Sequence, residues 1–322
     1  MRNLLCGAAL IAANAHAADP ALEKYPAKPI RFIMPYPVGG SIDLGGRTAA
    51  QQAGENMGQQ IVIDNRTGAG GTLGTELGAR AAPDGYTIVM GGTGTLAISP
   101  GMSRKLGYDV TRHFAPITLL ATTPYVLVVP PSLPAKSIKE LIAMAKAQPG
   151  KVIYASGGSG SAPHLIGEVF RMRAGADFLH VPYKGSTPAK IDLMAGRVQV
   201  FFTGVPSVVA ELKAGTLRAL GVTSAKRSAS LPDVPSIAEA GLPGFDVSPW
   251  FGVLAPARTP PGIVAQLNAE LVKALQTPSV RDTMLRNGFN IVGNTQPEFA
   301  AFIASERTQW AKAIRISGAR VE

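Results

Sequence analysis

At 322 residues the chain is long enough for two domains of ordinary size, and its 46% hydrophobic content supplies cores that need no disulfide staples. Charged residues make up only 16%, against 36 glycines and 26 prolines, a balance that suits short strands and helices joined by tight turns. The net charge of +10 favours anions, but the Lys and Arg residues are scattered and never interleaved with aromatics, so an acidic small ligand is expected and a nucleic-acid groove is not.

Residues 1–17 read as an export signal. Arg2 provides a short positive region, residues 4–13 an apolar run, and Ala15-His16-Ala17 the small–x–small pattern of a cleavage site. No later run reaches the ~20 apolar residues of a membrane-spanning helix. The one cysteine, Cys6, falls inside the signal. Its removal, together with one arginine and no acid, leaves a chain of charge +9 with no disulfide, thiol nucleophile or thiolate metal site. A soluble export product is expected, monomeric, with no cofactor and no metal.

From Ile30 onward strands and helices alternate. Ile30, Phe32 and Met34 fall at period two, and residues 60–63 and 86–90 give two more strands. Helices are expected from near Ser41 and from near Gly70-Gly71-Thr72. This strand–helix order is that of an α/β layer with a parallel sheet. A second block opens on the continuous apolar run 125–129. Ser137 and Glu140 have capping-box spacing, Ile138, Leu141, Ile142 and Ala145 follow at helical spacing, and Pro149-Gly150 stops the helix. Strands at 151–155, 178–181 and 198–203 and a helix from Pro163 complete this block. The last block has a strand at 250–254, a helix from Thr259-Pro260-Pro261 with Ile263, Val264, Leu267, Leu271 and Leu275 on one face, and a terminal helix over 295–310.

Four loops that follow strands, 37–43, 91–99, 156–164 and 182–187, are rich in Gly, Ser and Thr, and three lead into helices. In open α/β sheets ligands bind beyond the carboxyl ends of the strands. Helix N-termini there present free amides and a positive dipole end, which suits a carboxylate. Two residues admit a plainer role. Asp43 is stabilised in a first helical turn by position alone, and His164 can cap or pack as readily as donate to an anion.

Enzyme signatures are missing. The sequence has no G-x-G-x-x-G fingerprint, no phosphate loop and no H-E-x-x-H pair. Ser159 in Gly157-Gly158-Ser159-Gly160-Ser161 lacks the final glycine of a nucleophile elbow.

Taken in order, several motifs resemble the Bug family of periplasmic receptors, the extracytoplasmic components of tripartite tricarboxylate transporters. They are Tyr25-Pro26-Ala27-Lys28-Pro29-Ile30, Pro35-Tyr36-Pro37-Val38-Gly39-Gly40-Ser41-Ile42-Asp43, Asn65-Arg66 with Gly68-Ala69-Gly70-Gly71, and Ala82-Pro83-Asp84-Gly85-Tyr86-Thr87. Further on are the run from Tyr154 to Leu165 and His180-Val181-Pro182-Tyr183-Lys184-Gly185. The resemblance implies a type II periplasmic-binding-protein fold, two doubly wound α/β domains joined by two crossing strands. The crossings are expected near residues 123–125 and 247–250, giving a discontinuous first domain (25–123 plus 250–322) and a second domain (124–249). It also implies ligand binders. These are Tyr36, Gly39, Gly40, Ser41 and Asp43 on one side, Ser156, Ser159, Ser161, His164 and Tyr183 on the other, and Gly92, Thr93 and Thr95 completing the wall. The implied function is a receptor, not an enzyme. It captures a small carboxylate by hinge closure and passes it to membrane permease subunits. A sensor for a membrane signalling partner is the alternative, and a cleft enzyme a weaker one. The sequence departs from the family at Gln199, where an acid is frequent, which weighs against a ligand ammonium.

Overall fold

The computed structural model describes residues 25–103 and 105–317; the expected export signal lies outside them. In chain order the strands are β1 (Ile30–Met34), β2 (Ile61–Asn65), β3 (Thr87–Gly92), β4 (Phe114–Thr122), β5 (Tyr125–Val129), β6 (Val152–Ser156), β7 (Phe178–Pro182), β8 (Val200–Gly204), β9 (Arg218–Val222), β10 (Trp250–Pro256) and β11 (Asn290–Ile291). They form two sheets, a six-stranded one in the order β11-β4-β10-β3-β1-β2 and a five-stranded one in the order β7-β6-β8-β5-β9. Strands β1, β2 and β3 pair in parallel, as do β6, β7 and β8, because helices connect them. The strands next to the crossings, β10 and β5, pair antiparallel with their neighbours.

The apolar runs read from sequence are these strands, with β5 fully buried throughout. Three strands escaped that reading. Strand β4 carries Pro116, which has no amide to donate; it sits where the register with β10 shifts and beyond the reach of β11, so it costs the ladder little. Strand β9 is a five-residue strand with Gly221 inside it, and β11 has only two residues. The Ser137 cap forms, with its hydroxyl accepting from the Glu140 amide at 3.2 Å. Glu140 closes on the Lys136 amide (2.7 Å) rather than on Ser137, so the box is displaced by one residue.

The chain passes between sheets twice, from β4 to β5 through Thr123-Pro124 and back into β10 at Trp250. The passages are tied together. The Thr123 amide donates to the Pro249 carbonyl at 2.7 Å, and Tyr125 and Thr223 exchange bonds of 2.9 and 2.7 Å. The terminal helix Gln296–Ser317 packs on β4, on residues 93–98 and on the helix Ala162–Ala174, so it touches both units. Its Phe299, Trp310 and Ile314 join Ile33 and Val89 of one sheet to Leu127 and Phe202 of the other in one buried apolar cluster. Trp250 anchors this seam, edge-on to Phe299 and Phe302 with its indole N–H donating to Glu306 at 2.6 Å.

Candidate ligand-binding cleft

The loops beyond the strand ends of the two sheets face each other in a closed arrangement. The Thr187 hydroxyl donates to the Val38 carbonyl (3.3 Å) and the Ser99 hydroxyl to the Gly160 carbonyl (3.4 Å). At Gly70, with φ of +67°, a Cβ would fall 2.8 Å from the Ser159 carbonyl oxygen, so glycine is needed for this approach as well as for the left-handed backbone. Between the loops the cleft encloses about 50 Å³. No ionisable side chain other than the phenols of Tyr36 and Tyr125 lines it among the described residues.

Four helices begin at this cavity: Ser41–Met57, Thr72–Ala79, Ala162–Ala174 and Ser186–Met194. Their N-cap residues are Gly40, Gly71, Ser161 and Gly185, and none makes a side-chain cap. Ser161 has the hydroxyl for one but turns it to the Gly158 carbonyl at 2.6 Å. First-turn amides have no intrahelical partner, so these positive dipole ends face the cavity. Side-chain caps do form at Asp109, Ser137 and Ser236, although the helices Pro261–Gln276 and Pro278–Arg286, away from the cavity, also lack one. The wide helical turn Thr93–Ile98 adds Thr93, whose hydroxyl accepts from the Trp250 amide at 2.8 Å.

Of the binders expected from sequence, Tyr36, Gly40, Ser41, Thr93 and Ser161 line the cavity. The others stand behind it. Asp43 is buried, but its carboxylate accepts from the Gly39 amide (3.0 Å), Arg47 (2.9 Å) and Asn65 (2.9 Å). Asn65 also donates to the Tyr36 carbonyl at 2.8 Å, so Asp43 braces the first loop and does not face the ligand space. Gly39 serves this brace and is exposed. Gly92 is packed where a Cβ would meet the Trp250 carbonyl and the Tyr36 hydroxyl, both at 2.9 Å. Thr95 is buried, its hydroxyl accepting from the Gly92 amide at 3.2 Å and lying 3.4 Å from the Tyr36 hydroxyl.

The second loop is braced differently. The Ser156 hydroxyl lies 2.7 Å from His180 Nε2, His180 stacks on His164 at 4.1 Å, and His164 Nδ1 accepts from the Gly160 amide at 3.1 Å. Burial lowers the pKa of His164, and burial with the neighbouring His164 brings His180 down to about 3, so both imidazoles are neutral at ordinary pH. His164 is thus a packing and loop-holding histidine. Tyr183 donates to Asp192 at 2.7 Å, and Ser159 meets Gly70 through its backbone. Gln199 bonds the Ile153 amide at 2.9 Å between β6 and β8, away from the cavity, so its identity says nothing about a ligand ammonium.

Sequence reading did not select Thr67, Gly68, Gly70 and Gly71, the loop after β2, although it too is a glycine-rich segment beyond a strand end. It also placed Tyr125 and Trp250 only on strands and at the crossings, not among the binders, and both line the cavity.

The sequence profile of the tripartite tricarboxylate transporter family receptor, TctC, matches residues 46–318. The chain belongs to this receptor family. The family is one of solute-binding receptors, not enzymes. The TctC chain is 39% identical to the protein BugT of Bordetella pertussis (strain Tohama I), covering 100% of this chain and 99% of the relative. It is 41% identical to the UPF0065 protein in the tcbD-tcbE intergenic region of Pseudomonas sp. (strain P51), over 97% of this chain and 93% of that one. Among solved structures, R. palustris Rpa4515 with adipate superposes with a TM-score of 0.90 at 34% identity, covering 92% of this chain and all of the other. The periplasmic binding protein BugD gives 0.88 at 32% identity over the same shares. MatC from Rhodopseudomonas palustris with bound malate gives 0.86 at 30%, covering 90% of this chain and 100% of MatC. The two-domain α/β periplasmic-binding fold is therefore that of the family, and no described helix is long and apolar enough to cross a membrane.

Proposed function

We propose that this TctC receptor captures a small carboxylate between its lobes by hinge closure and delivers it to membrane permease subunits. The observation that carries the reading is the convergence of four helix N-termini without side-chain caps on a cavity that no charged side chain lines. An anion is stabilised there by backbone amides and dipoles, and no carboxylate repels it. The adipate and malate bound by Rpa4515 and MatC agree with this chemistry. Contacts between residues 70 and 159–161 exist only with the lobes together, so a ligand that bridges them shifts the population toward the closed form.

In this reading residues 1–17 are removed on export to the periplasm, residues 25–123 with 250–322 form one lobe and 124–249 the other, and the receptor acts as a monomer. Tyr36, Gly40, Ser41, Thr93 and Ser161 contact the ligand; Gly39, Asp43, Gly92, Thr95, Ser156, Ser159, His164 and Tyr183 hold those contacts in place. The test is a thermal-shift screen against mono-, di-, tri- and aromatic carboxylates, amines and sugars, with the ligand assayed for consumption. A ligand at ~100 times its Kd adds ~2.7 kcal/mol of stability. A shift with carboxylates and no turnover supports the receptor; a shift with amines or sugars alone refutes the anion cleft.

A further inference from the structure

Resting on the carboxylate reading above, we infer that Tyr125 selects among carboxylates, its hydroxyl donating to a second oxygen function on a short ligand at the hinge side of the cleft. Tyr125 opens β5 directly after the first crossing, and its backbone is fixed on both sides by Thr223. Its side chain is only 5% exposed and lines the cavity beside Pro249 and Trp250. Its hydroxyl has no hydrogen-bond partner among the described residues.

The other six of the seven tyrosines all have one. The hydroxyls of Tyr25 and Tyr108 donate to the carbonyls of Gly85 and Thr95, and those of Tyr154 and Tyr183 to Glu168 and Asp192. The Tyr86 hydroxyl accepts from the Ala27 amide, and that of Tyr36 meets Thr95. An unpartnered hydroxyl that is not sealed from solvent, as that of Tyr125 is not, is free to be completed by water or by a ligand. Burial, reinforced by the nearby Tyr36 phenol, raises the Tyr125 pKa, so the group stays a donor at every physiological pH.

The surroundings define what it donates to. No acid lines the cavity, so a ligand ammonium would be buried unpaired. An alkyl end would leave the hydroxyl as it is. What remains is a compact carboxylate bearing a hydroxyl, a carbonyl or a second carboxylate a few carbons away.

The experiment is calorimetric titration of the wild type and Tyr125→Phe with succinate, malate, butyrate, aspartate and benzoate, together with melting of the ligand-free proteins. The wild type should bind succinate or malate at least tenfold tighter than butyrate. Tyr125→Phe should erase that ratio, leave butyrate binding unchanged and not lower the ligand-free melting temperature. A merely structural tyrosine would do the reverse, lowering the melting temperature and keeping the ratio, and that result overturns the inference. So does wild-type protein that prefers butyrate, aspartate or benzoate, a result that leaves the carboxylate reading standing and needs no variant. Failure of every carboxylate to bind removes the underlying reading itself.

Discussion

The two sides of the cleft do the same job with opposite chemistry. On the first lobe one buried carboxylate, Asp43, gathers the Gly39 amide, Arg47 and Asn65, and Arg47 in turn reaches Asn65 Oδ1 at 2.6 Å. On the second lobe the loop is held by neutral groups, Ser156 on His180, His180 stacked between Tyr154 (4.7 Å) and His164, and His164 on the Gly160 amide. In both cases the bracing side chains sit behind the loop, and the ligand space meets backbone amides together with uncharged side chains such as Tyr36, Ser41, Thr93 and Ser161. A charge placed in the cavity would fix the ligand's charge by pairing; a charge placed behind the loop fixes only the backbone. The comparison therefore separates residues that hold the loops from residues that read the ligand.

The largest effect should come from breaking the charged brace. Asp43→Ala leaves Arg47, Asn65 and the Gly39 amide without their shared acceptor, and a loss of about 2–4 kcal/mol is expected in denaturant unfolding, discounted for the 41% exposure of the Arg47 side chain. Asp43→Asn should cost less, because it keeps an acceptor oxygen. An unchanged midpoint for Asp43→Ala would mean that this brace does not hold the first loop.

On the neutral side the test is pH. His180 has its folded pKa depressed to about 3 by burial and then by His164, with Tyr154 and Ser156 as its other close neighbours and no acid in contact. The unfolded chain binds the proton first as pH falls, so stability present above about 6.5 is lost between there and about 3, with a slope of up to ~1.4 kcal/mol per pH unit from this group. His164 shifts in the same direction. His180→Gln should flatten this limb in urea titrations from pH 7 to 4; an identical limb would remove the imidazoles as its source.

Closure itself is probed by Gly70→Ala. The added Cβ meets the Ser159 carbonyl only when the lobes are together, so ligand affinity should fall tenfold or more, ~1.4 kcal/mol, while the strain of alanine at positive φ lowers ligand-free stability by about 1 kcal/mol. Equal affinity by calorimetry would mean that the lobes close elsewhere. The smallest expected effect is none at all. The cavity's ionisable lining is phenolic, with Tyr36 pushed up to about 12 by burial against the smaller opposing bond to Thr95, so affinity for a fully ionised carboxylate should be flat from pH 6 to 9. A slope in that range would place a titrating side chain in contact with the ligand.

Much of this was legible in the chain. Apolar runs at 30–34, 125–129 and 250–254, helical periods after Ser137 and Pro261, and glycine-rich loops beyond strand ends follow from local propensity and from the amphipathic period each element must keep. These set the α/β layering and the loops that hold the site, as well as the family resemblance. The sequence did not decide which residue of each loop faces the ligand. Ser41 and Asp43 are two apart at the start of one helix, which turns them to different sides, so only one can meet the cavity. Tyr125 and Trp250 become lining residues because the two crossings bring the start of β5 and the start of β10 together, a contact between positions 125 residues apart that no local pattern encodes. The sequence by itself determined the elements and their turn chemistry, which depend on neighbours along the chain. Only the tertiary structure decided the division between brace and reader, because it depends on lobe closure and on where the second sheet places its loops.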